Sequence, residues 1–121
     1  MARTNIPITE LPFSGITQLS WTAGDATNDH VFINDGNTII IVKNGGGGAV
    51  QVTVVEQPEP LLGRSSATGT QLSVDAGEEA VIGPLAAAGY NIKSGDDVGK
   101  VYIDLDVDAS VELVACRLRR A

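Results

Sequence analysis

The sequence is poor in the residues that most often build metal centres and covalent frameworks. It has a single cysteine, Cys116, and a single histidine, His30. One cysteine cannot form an internal disulfide, which favours a reducing compartment, and one histidine excludes a multi-histidine metal site. No apolar run approaches the roughly 20 residues of a membrane-spanning helix, and the start MARTNIPITE lacks the apolar stretch of a signal peptide. We therefore expect a soluble protein that does not interact with a membrane.

Basic residues and aromatic residues are also scarce. The chain has 8 Lys and Arg against 15 Asp and Glu, which gives a formal net charge of −7. A nucleic-acid binder needs a basic surface that displaces counterions from phosphates, so this charge argues against nucleic acid as a partner. The acidic body nevertheless ends in a basic terminus with Arg117, Arg119 and Arg120. With one Trp, two Tyr and two Phe, the core must consist mainly of Val, Ile, Leu and Ala, a composition that favours β-sheet.

Two segments imitate ligand-binding motifs but lack essential positions. The glycine run Gly45–Gly48 has no Gly-Lys-Ser/Thr after it and leads into a strand pattern, so it predicts a flexible turn rather than a phosphate loop. Asp104–Asp108 places carboxylates at alternate positions, as a calcium-binding EF-hand loop does. Ala109 stands where that loop needs glycine, and Ala115 stands where it needs glutamate. We therefore expect a solvated strand face with no metal ion and no cofactor.

The sequence announces no catalytic centre. Cys116 lies among apolar strand residues, where it acts as a small buried hydrophobe rather than as a nucleophile paired with His30. The adjacent carboxylates Glu78-Glu79 and Asp96-Asp97 point to opposite faces of a strand or into solvent. Trp21 could stack on a sugar, although a lone tryptophan in a small β domain is more often part of the core. We predict that the protein is not an enzyme.

Strand-like runs recur along the chain with turn signals between them, whereas the spacing of an amphipathic helix is almost absent. The pattern predicts about eight strands. The Asp35-Gly36 step predicts a tight hairpin between His30–Ile33 and Thr38–Lys43, and the glycine run predicts a second hairpin. Val101 to Val107 alternates between apolar and polar residues, so one face belongs to the core. The predicted fold class is all-β: a single antiparallel β-sandwich or jelly-roll-like barrel over residues 13–121, after an extended N-terminal arm over residues 1–12.

Two of the predicted strands are apolar on both faces. Ile39–Val42 is apolar at every position, and Val111–Leu118 carries apolar residues on both sides of its alternation. A small domain has one core, so another surface must cover the second face, and we expect a homo-oligomer. The predicted subunit contacts are Ile40, Val42, Val114 and Leu118.

Four pieces of the chain carry a resemblance to a known family. They are the N-terminal ARTNIPITEL, the strand and glycine turn NTIIIVKNGGGGAVQVTVV, the segment AGEEAVIGPL before Tyr90, and the terminal GKVYIDLDVDASVELVACRLRR. In their order along the chain and in their residue patterns, these segments resemble small structural proteins of tailed-bacteriophage virions, in particular head decoration (capsid-cementing) proteins. The resemblance implies a homotrimer seated where subunits of the major capsid protein meet. It also implies a location on the capsid surface of the virion, after synthesis in the host cytoplasm.

Residues 1–12 would be the arm that such a protein extends onto the shell. Pro7 and Pro12 disfavour helix and hold the backbone extended, so the segment is either a docking arm or an ordinary frayed terminus. A docking arm would add a strand to a capsid sheet. The predicted capsid contacts are Arg3, Thr4, Asn5, Ile6, Ile8 and Leu11.

Two functions follow from these expectations. The favoured one is a structural virion protein that binds and stabilises a viral capsid as an oligomer, which requires no chemistry from the chain. The alternative is a carbohydrate- or receptor-binding β-sandwich of a phage tail or a cell surface. In that case Trp21, Tyr90 and the loop Gln57–Thr70 would line the site.

Overall fold

The computed structural model describes residues 3–12, 14–56, 68–85, 90–93 and 95–117. Ten strands lie in these ranges, and the all-β fold class predicted from the sequence is confirmed. In chain order they are β1 (Thr4–Asn5), β2 (Ile8–Glu10), β3 (Thr22–Ala23), β4 (His30–Ile33), β5 (Thr38–Asn44), β6 (Val50–Glu56), β7 (Thr68–Val74), β8 (Glu79–Ile82), β9 (Lys100–Leu105) and β10 (Val111–Arg117).

The strands form two mixed sheets, an arrangement consistent with a β-sandwich. The first sheet has the order β1-β4-β9-β6-β7, and the second has the order β2-β10-β5-β8, with β3 also pairing with β10. The pairs β1–β4 and β2–β10 are parallel, and the other pairs are antiparallel. The predicted antiparallel pattern therefore fails only where the N-terminal strands join the sheets. Neither sheet closes into a barrel in the part of the chain described here.

Short turns lead from one sheet to the other instead of forming hairpins. β4 and β5 flank Asp35-Gly36, yet β4 pairs with β9 while β5 pairs with β10 and β8. The glycine run likewise joins β5 of the second sheet to β6 of the first. Both predicted hairpins are therefore wrong. Two strands that bury one face in the same core can stack across the roughly 10 Å gap between sheets as readily as they pair side by side.

The core fills the space between the two sheets with aliphatic side chains and one Phe. The strand β9 alternates as predicted, with Ile103 and Leu105 buried and Tyr102 and Asp104 turned outward. It ends at Leu105, so Val107 is not a core residue and is 45% exposed in the following turn. The core cluster consists of Ile6, Phe32, Ile40, Val42, Val50, Val52, Val54, Val74, Leu85, Val101, Ile103, Leu105, Val111, Leu113 and Ala115.

Candidate interaction surfaces

The segment predicted as an extended arm lies against the sandwich and contributes to both sheets. β1 pairs with β4 of the first sheet, and β2 pairs with β10 of the second. Between them the backbone N–H of Ile6 donates to the carbonyl of Val31 at 2.9 Å. After β2, the N–H of Leu11 donates to the carbonyl of Arg117 at 3.1 Å. The segment therefore bridges the two sheets, and an extended arm is not confirmed.

Ile6 explains why this segment folds back. Its side chain is only 1% exposed and belongs to the core, and burying an isoleucine stabilises the fold by about 1.5–3 kcal/mol. Of the predicted capsid contacts, Ile6 therefore has no free surface in this conformation, and Asn5 is exposed. The other four are half-buried: Arg3, Thr4, Ile8 and Leu11. A capsid contact stays a prediction for the five residues that reach the surface.

Arg3 fastens the beginning of the segment to the outer face of the first sheet. Its Nη1 donates to Oδ1 of Asp104 at 2.5 Å and to the carbonyl of His30 at 3.2 Å. Its guanidinium carbon lies 3.8 Å from the ring centroid of Tyr102, a cation–π contact. The Tyr102 hydroxyl donates to Oδ2 of Asp97 at 2.5 Å, which lowers the pKa of that carboxyl and raises the pKa of the tyrosine. An arginine at position 3 thus ties the segment to several polar groups at once.

A buried histidine lies under the same segment. His30 accepts a hydrogen bond at Nε2 from the backbone N–H of Asp25 at 2.9 Å, so the proton of the neutral ring is on Nδ1. Burial lowers the pKa of His30 below 6.5, an effect that the Thr4 backbone and the carboxylates of Asp25 and Asp29 oppose. The ring is therefore neutral at neutral pH.

Asp25 connects this histidine to β1. Its Oδ2 accepts a hydrogen bond from the Thr4 hydroxyl at 2.6 Å, and its Oδ1 accepts one from the backbone N–H of Asn28 at 2.9 Å. These bonds, with that of Thr4 first, hold the pKa of Asp25 down to about 2. The carboxylate is therefore charged over the whole physiological range and orders the loop before β4.

The outer face of the second sheet carries apolar side chains on three neighbouring strands. Val81 of β8 lies opposite Ile41 of β5, which lies opposite Val114 of β10. Val81 is 63% exposed, Ile41 is half-buried and Val114 is buried. Among the described strands β8 pairs only with β5, so its other side is an open edge next to Val81. We call Ile41, Val81 and this open edge the β8 face.

The side chains predicted as subunit contacts on β5 point into the core. Ile40 and Val42 are both fully buried between the sheets, whereas Ile39 and Ile41 are half-buried on the outer face. Four consecutive apolar residues do not reveal which alternate pair points inward, and the prediction selected the inward pair. The subunit contact itself stays a prediction, because the outer face remains available at Ile41.

Val114 and Leu118 complete the predicted subunit contacts. Val114 lies on the outer face of β10, and both faces of that strand are buried, as the sequence indicated. Val114 is 0% exposed, so the chain itself covers it, and β2 and β3 pair with one edge of β10. Nζ of Lys43, on the outer face of β5, lies 5.4 Å from the ring centroid of Trp21, which places Trp21 over this face. Leu118 lies outside the described residues.

One end of the sandwich combines a small depression with many carboxylates. The depression has a volume of about 290 Å³ and lies between the glycine turn on one side and Val107 and Ala109 on the other. Val107 stands between the exposed residues Asp106 and Asp108. The neighbouring turn between β7 and β8 adds further exposed acidic residues: Asp75, Glu78 and Glu79. We call this region the acidic end.

Asn44 holds the glycine turn in place, a role that the sequence analysis missed. Its side-chain amide donates to the carbonyls of Gly48 at 2.8 Å and Val74 at 2.9 Å, and its Oδ1 accepts from the N–H of Gly46 at 3.0 Å. A Cβ at Gly46 would lie 2.8 Å from the carbonyl oxygen of Ala109, so glycine is required there. The sequence did hold a signal for this role. Asn44 follows Ile40 and Val42 on the same, inward side of β5, and a polar side chain on that side must find hydrogen-bond partners.

The carboxylates of Asp104–Asp108 are used separately rather than converging on one ion. Asp104 binds Arg3, while Oδ1 of Asp106 accepts from the N–H of Gln51 and Oδ2 of Asp108 accepts from the N–H of Ala26, both at 2.8 Å. Within the described ranges, no group of three or more His, Cys, Asp or Glu residues could hold a metal ion. Burial raises the pKa of the Cys116 thiol, which disfavours the thiolate form.

Trp21 and Tyr90, predicted to line one sugar site, do not lie together. Trp21 stands on the outer face of the second sheet beside Lys43, whereas Tyr90 packs against the hydrophobic core. A depression of about 550 Å³ does lie next to Trp21, lined by Thr17, Gln18 and Leu19. Most of the loop Gln57–Thr70, the third part of that predicted site, lies outside the described residues.

No family model, curated protein or solved structure matches this chain. Its function is therefore inferred from its own surfaces and from the sequence resemblance. A search of the described residues for a helix long and apolar enough to cross a membrane found none.

Proposed function

We propose that this chain is a structural virion protein that binds and stabilises a viral capsid, acting as an oligomer. The observation that carries the proposal is the β8 face, where an exposed valine adjoins an open strand edge. The choice of a capsid as the partner rests on the resemblance of the sequence to head decoration proteins. The major capsid protein is then the partner, and the capsid surface is the location.

The β8 face offers both kinds of contact that a partner strand uses. Among the described strands, β8 has no partner on its outer edge, so its backbone groups there can pair with an added strand, and Val81 can be buried beside that strand. Burial of a valine from 63% exposure is worth about 1 kcal/mol, so one site is weak on its own. An oligomer that binds several equivalent sites on a shell would convert such weak contacts into firm attachment.

In this proposal the N-terminal segment contacts the capsid through its surface residues while it stays packed against the sandwich. Pulling it away would expose Ile6 at a cost of about 1.5–3 kcal/mol, and would also break the contacts of Arg3 and Thr4. A capsid would have to compensate for all of these losses. Contacts through the exposed Asn5 carry no such cost, so we assign the capsid contact of this segment to its folded-back form.

Co-sedimentation with capsid shells tests the proposed function. The shells are assembled from the major capsid protein encoded by the same genome, and the full chain is added at increasing concentration. We expect saturable binding at a fixed ratio to the capsid subunits, together with a higher temperature of shell disassembly. A chain that stays in the supernatant at every concentration would refute the capsid role.

The depression beside Trp21 favours a second candidate, a carbohydrate-binding module. An aromatic ring next to the hydroxyl of Thr17 and the amide of Gln18 is a combination that suits a sugar. A glycan array with the full chain, repeated with Trp21→Ala, tests this candidate. Glycan binding that Trp21→Ala abolishes, without any binding to capsid shells, would favour this function over the first.

A further inference from the structure

The step Asn44-Gly45, where β5 meets the glycine turn, is chemically labile. Asparagine is among the thermolabile residues, because the backbone nitrogen of the next residue can attack its side-chain carbonyl carbon. A following glycine permits this attack fastest, since it has no side chain to hinder the approach. Bulkier residues follow the other asparagines of the chain, Asn5, Asn28, Asn34, Asn37 and Asn91. Asn44 is therefore the asparagine most prone to deamidation.

Deamidation at this step would proceed through a cyclic imide. The Gly45 nitrogen loses its proton to a solvent base and forms a bond to Cγ of Asn44, and the C–N bond of the side-chain amide breaks to release ammonia. Water then opens the imide at either carbonyl. The product is aspartate or isoaspartate, in which the main chain runs through the former side chain. The net reaction consumes one water molecule and releases one ammonia, so it needs no oxidant or reductant.

The folded chain holds each group that this reaction needs. The N–H of Gly45 donates to the carbonyl of Ser110 at 2.9 Å, which keeps its proton from a solvent base. The leaving group, the side-chain amide of Asn44, donates to the carbonyls of Gly48 at 2.8 Å and Val74 at 2.9 Å. Asn44 is only 1% exposed, so water does not reach the amide. The reaction therefore requires the turn to open first.

Neither product fits the place that Asn44 occupies. A carboxylate has no proton to donate to the carbonyl of Val74, and it adds a negative charge to the acidic end. Isoaspartate adds an atom to the main chain at a residue whose N–H donates to the carbonyl of Glu78 at 3.0 Å and whose carbonyl accepts from the N–H of Gly77 at 2.8 Å. A chain deamidated at residue 44 cannot restore all of these bonds, so it should refold poorly.

We propose that Asn44 is a deamidation site that the fold protects, and that its reaction after unfolding prevents the chain from returning to the folded state. Refolding and deamidation compete for the same unfolded chain. Rapid refolding preserves the amide, whereas prolonged unfolding removes it and becomes irreversible. The site acts whatever the partner of the chain is, so this inference is independent of the proposed capsid role.

Peptide mass spectrometry of the full chain tests the protection by the fold. One sample is kept folded and the other is kept in guanidinium chloride, at the same mildly alkaline pH and the same temperature. We expect Asn44 to lose its amide at least about tenfold more slowly in the folded sample, because the turn must open before the attack. Asn37 and Asn91 are internal controls that should react more slowly than Asn44 in the unfolded sample. Equal rates at Asn44 in the two samples would overturn the proposal.

Refolding of the aged unfolded chain tests the consequence of the reaction. Aliquots taken at increasing times are diluted out of the denaturant, folded and unfolded chains are separated by size-exclusion chromatography, and residue 44 is identified in each fraction. We expect the refolded yield to fall in step with deamidation, and the folded fraction to retain asparagine at residue 44. A folded fraction with the same share of deamidated chains as the unfolded fraction would contradict the proposal.

Two controls suppress the reaction while the chain stays unfolded. Ageing at mildly acidic pH disfavours loss of the Gly45 proton, so both the amide and the refolded yield should persist. Gly45→Ala hinders the attack with a side chain, and its yield should fall several-fold more slowly than that of the original chain. Its Cβ would lie 3.2 Å from the carbonyl oxygen of Ser110, so its yield before ageing is its own reference. A yield that falls equally fast while the amide stays intact would overturn the proposal.

Discussion

The backbone N–H of Asp25 donates to Nε2 of His30 at 2.9 Å, and this bond fixes the neutral form of the only histidine in the chain. Asp25 also accepts a hydrogen bond from Thr4, so the same residue links the buried ring to β1. A proton on Nε2 would break the first bond and place a positive charge under the N-terminal segment. The pairing of β1 with β4 is therefore coupled to the protonation state of His30.

The free energy of unfolding should fall as the pH falls below about 6.5. His30 has a lowered pKa in the folded state, so the unfolded state binds more protons below 6.5 and gains stability there. The slope for this one group should approach about 1.4 kcal/mol per pH unit at most. Urea unfolding at a series of pH values measures it. Asp25 contributes in a lower pH range. Its stabilising effect is present above pH 3.8 and is lost as the pH falls towards about 2.

His30→Gln is the control for this pH dependence. The glutamine amide can accept a hydrogen bond through its oxygen and does not titrate. We expect the free energy of unfolding of this variant to change less between pH 6.5 and pH 3.8, the range in which His30 but not Asp25 contributes. An unchanged slope in His30→Gln would show that another group is responsible.

Ile6→Ala should lower the free energy of unfolding by about 2–4 kcal/mol, because it removes a buried side chain from the core and leaves a cavity. Asn5→Ala, its exposed neighbour, should change that free energy by less than about 0.5 kcal/mol. Urea denaturation of both variants measures the difference. Equal and small effects would indicate that the segment is a free arm in solution.

The sequence predicted which strands exist better than it predicted their neighbours. The alternation of Val101, Ile103 and Leu105 identifies a strand with one buried face, but it carries no information on whether the next strand pairs or stacks. The Asp35-Gly36 step likewise indicates a turn and not its destination. Proline suggested a free N-terminal arm, whereas Ile6 is held by core burial that depends on both sheets.

Arg3→Ala should lower the free energy of unfolding by about 1 kcal/mol. The ion pair with Asp104 is partly exposed and therefore screened, and the contact with the Tyr102 ring adds a similar small amount. A double-mutant cycle with Asp104→Asn measures the coupling of the two side chains. A coupling energy of zero would mean that Arg3 acts through the ring and the His30 carbonyl alone.

Asn44→Asp should lower the free energy of unfolding by about 2 kcal/mol or more at neutral pH. One carboxylate oxygen could still accept from Gly46, but the other would face the carbonyl oxygens of Gly48 and Val74 without a proton to donate. Thermal unfolding at pH 7 and at acidic pH measures this. The loss should be smaller where the introduced carboxyl is protonated, and an equal loss at both pH values would contradict this account.

The candidate surfaces were only partly predictable. An apolar run such as Ile39–Val42 indicates that both faces are covered, yet the inward pair is decided by register with β10 and β8. Val81 lies in a short alternating strand whose exposed side could not be identified before its partner was known.

The most direct test of the central claim is co-sedimentation of Val81→Glu with capsid shells, compared with Val98→Glu. Both valines are largely exposed, at 63% and 55%, and Val98 lies in the turn before β9, a strand of the other sheet. Neither change should alter the free energy of unfolding by more than about 0.5 kcal/mol. We predict that Val81→Glu weakens binding to the shells at least about tenfold, a loss of about 1.4 kcal/mol per site, and that Val98→Glu binds as the original chain does. Equal binding of the two variants would contradict the assignment of the β8 face as the capsid-binding surface.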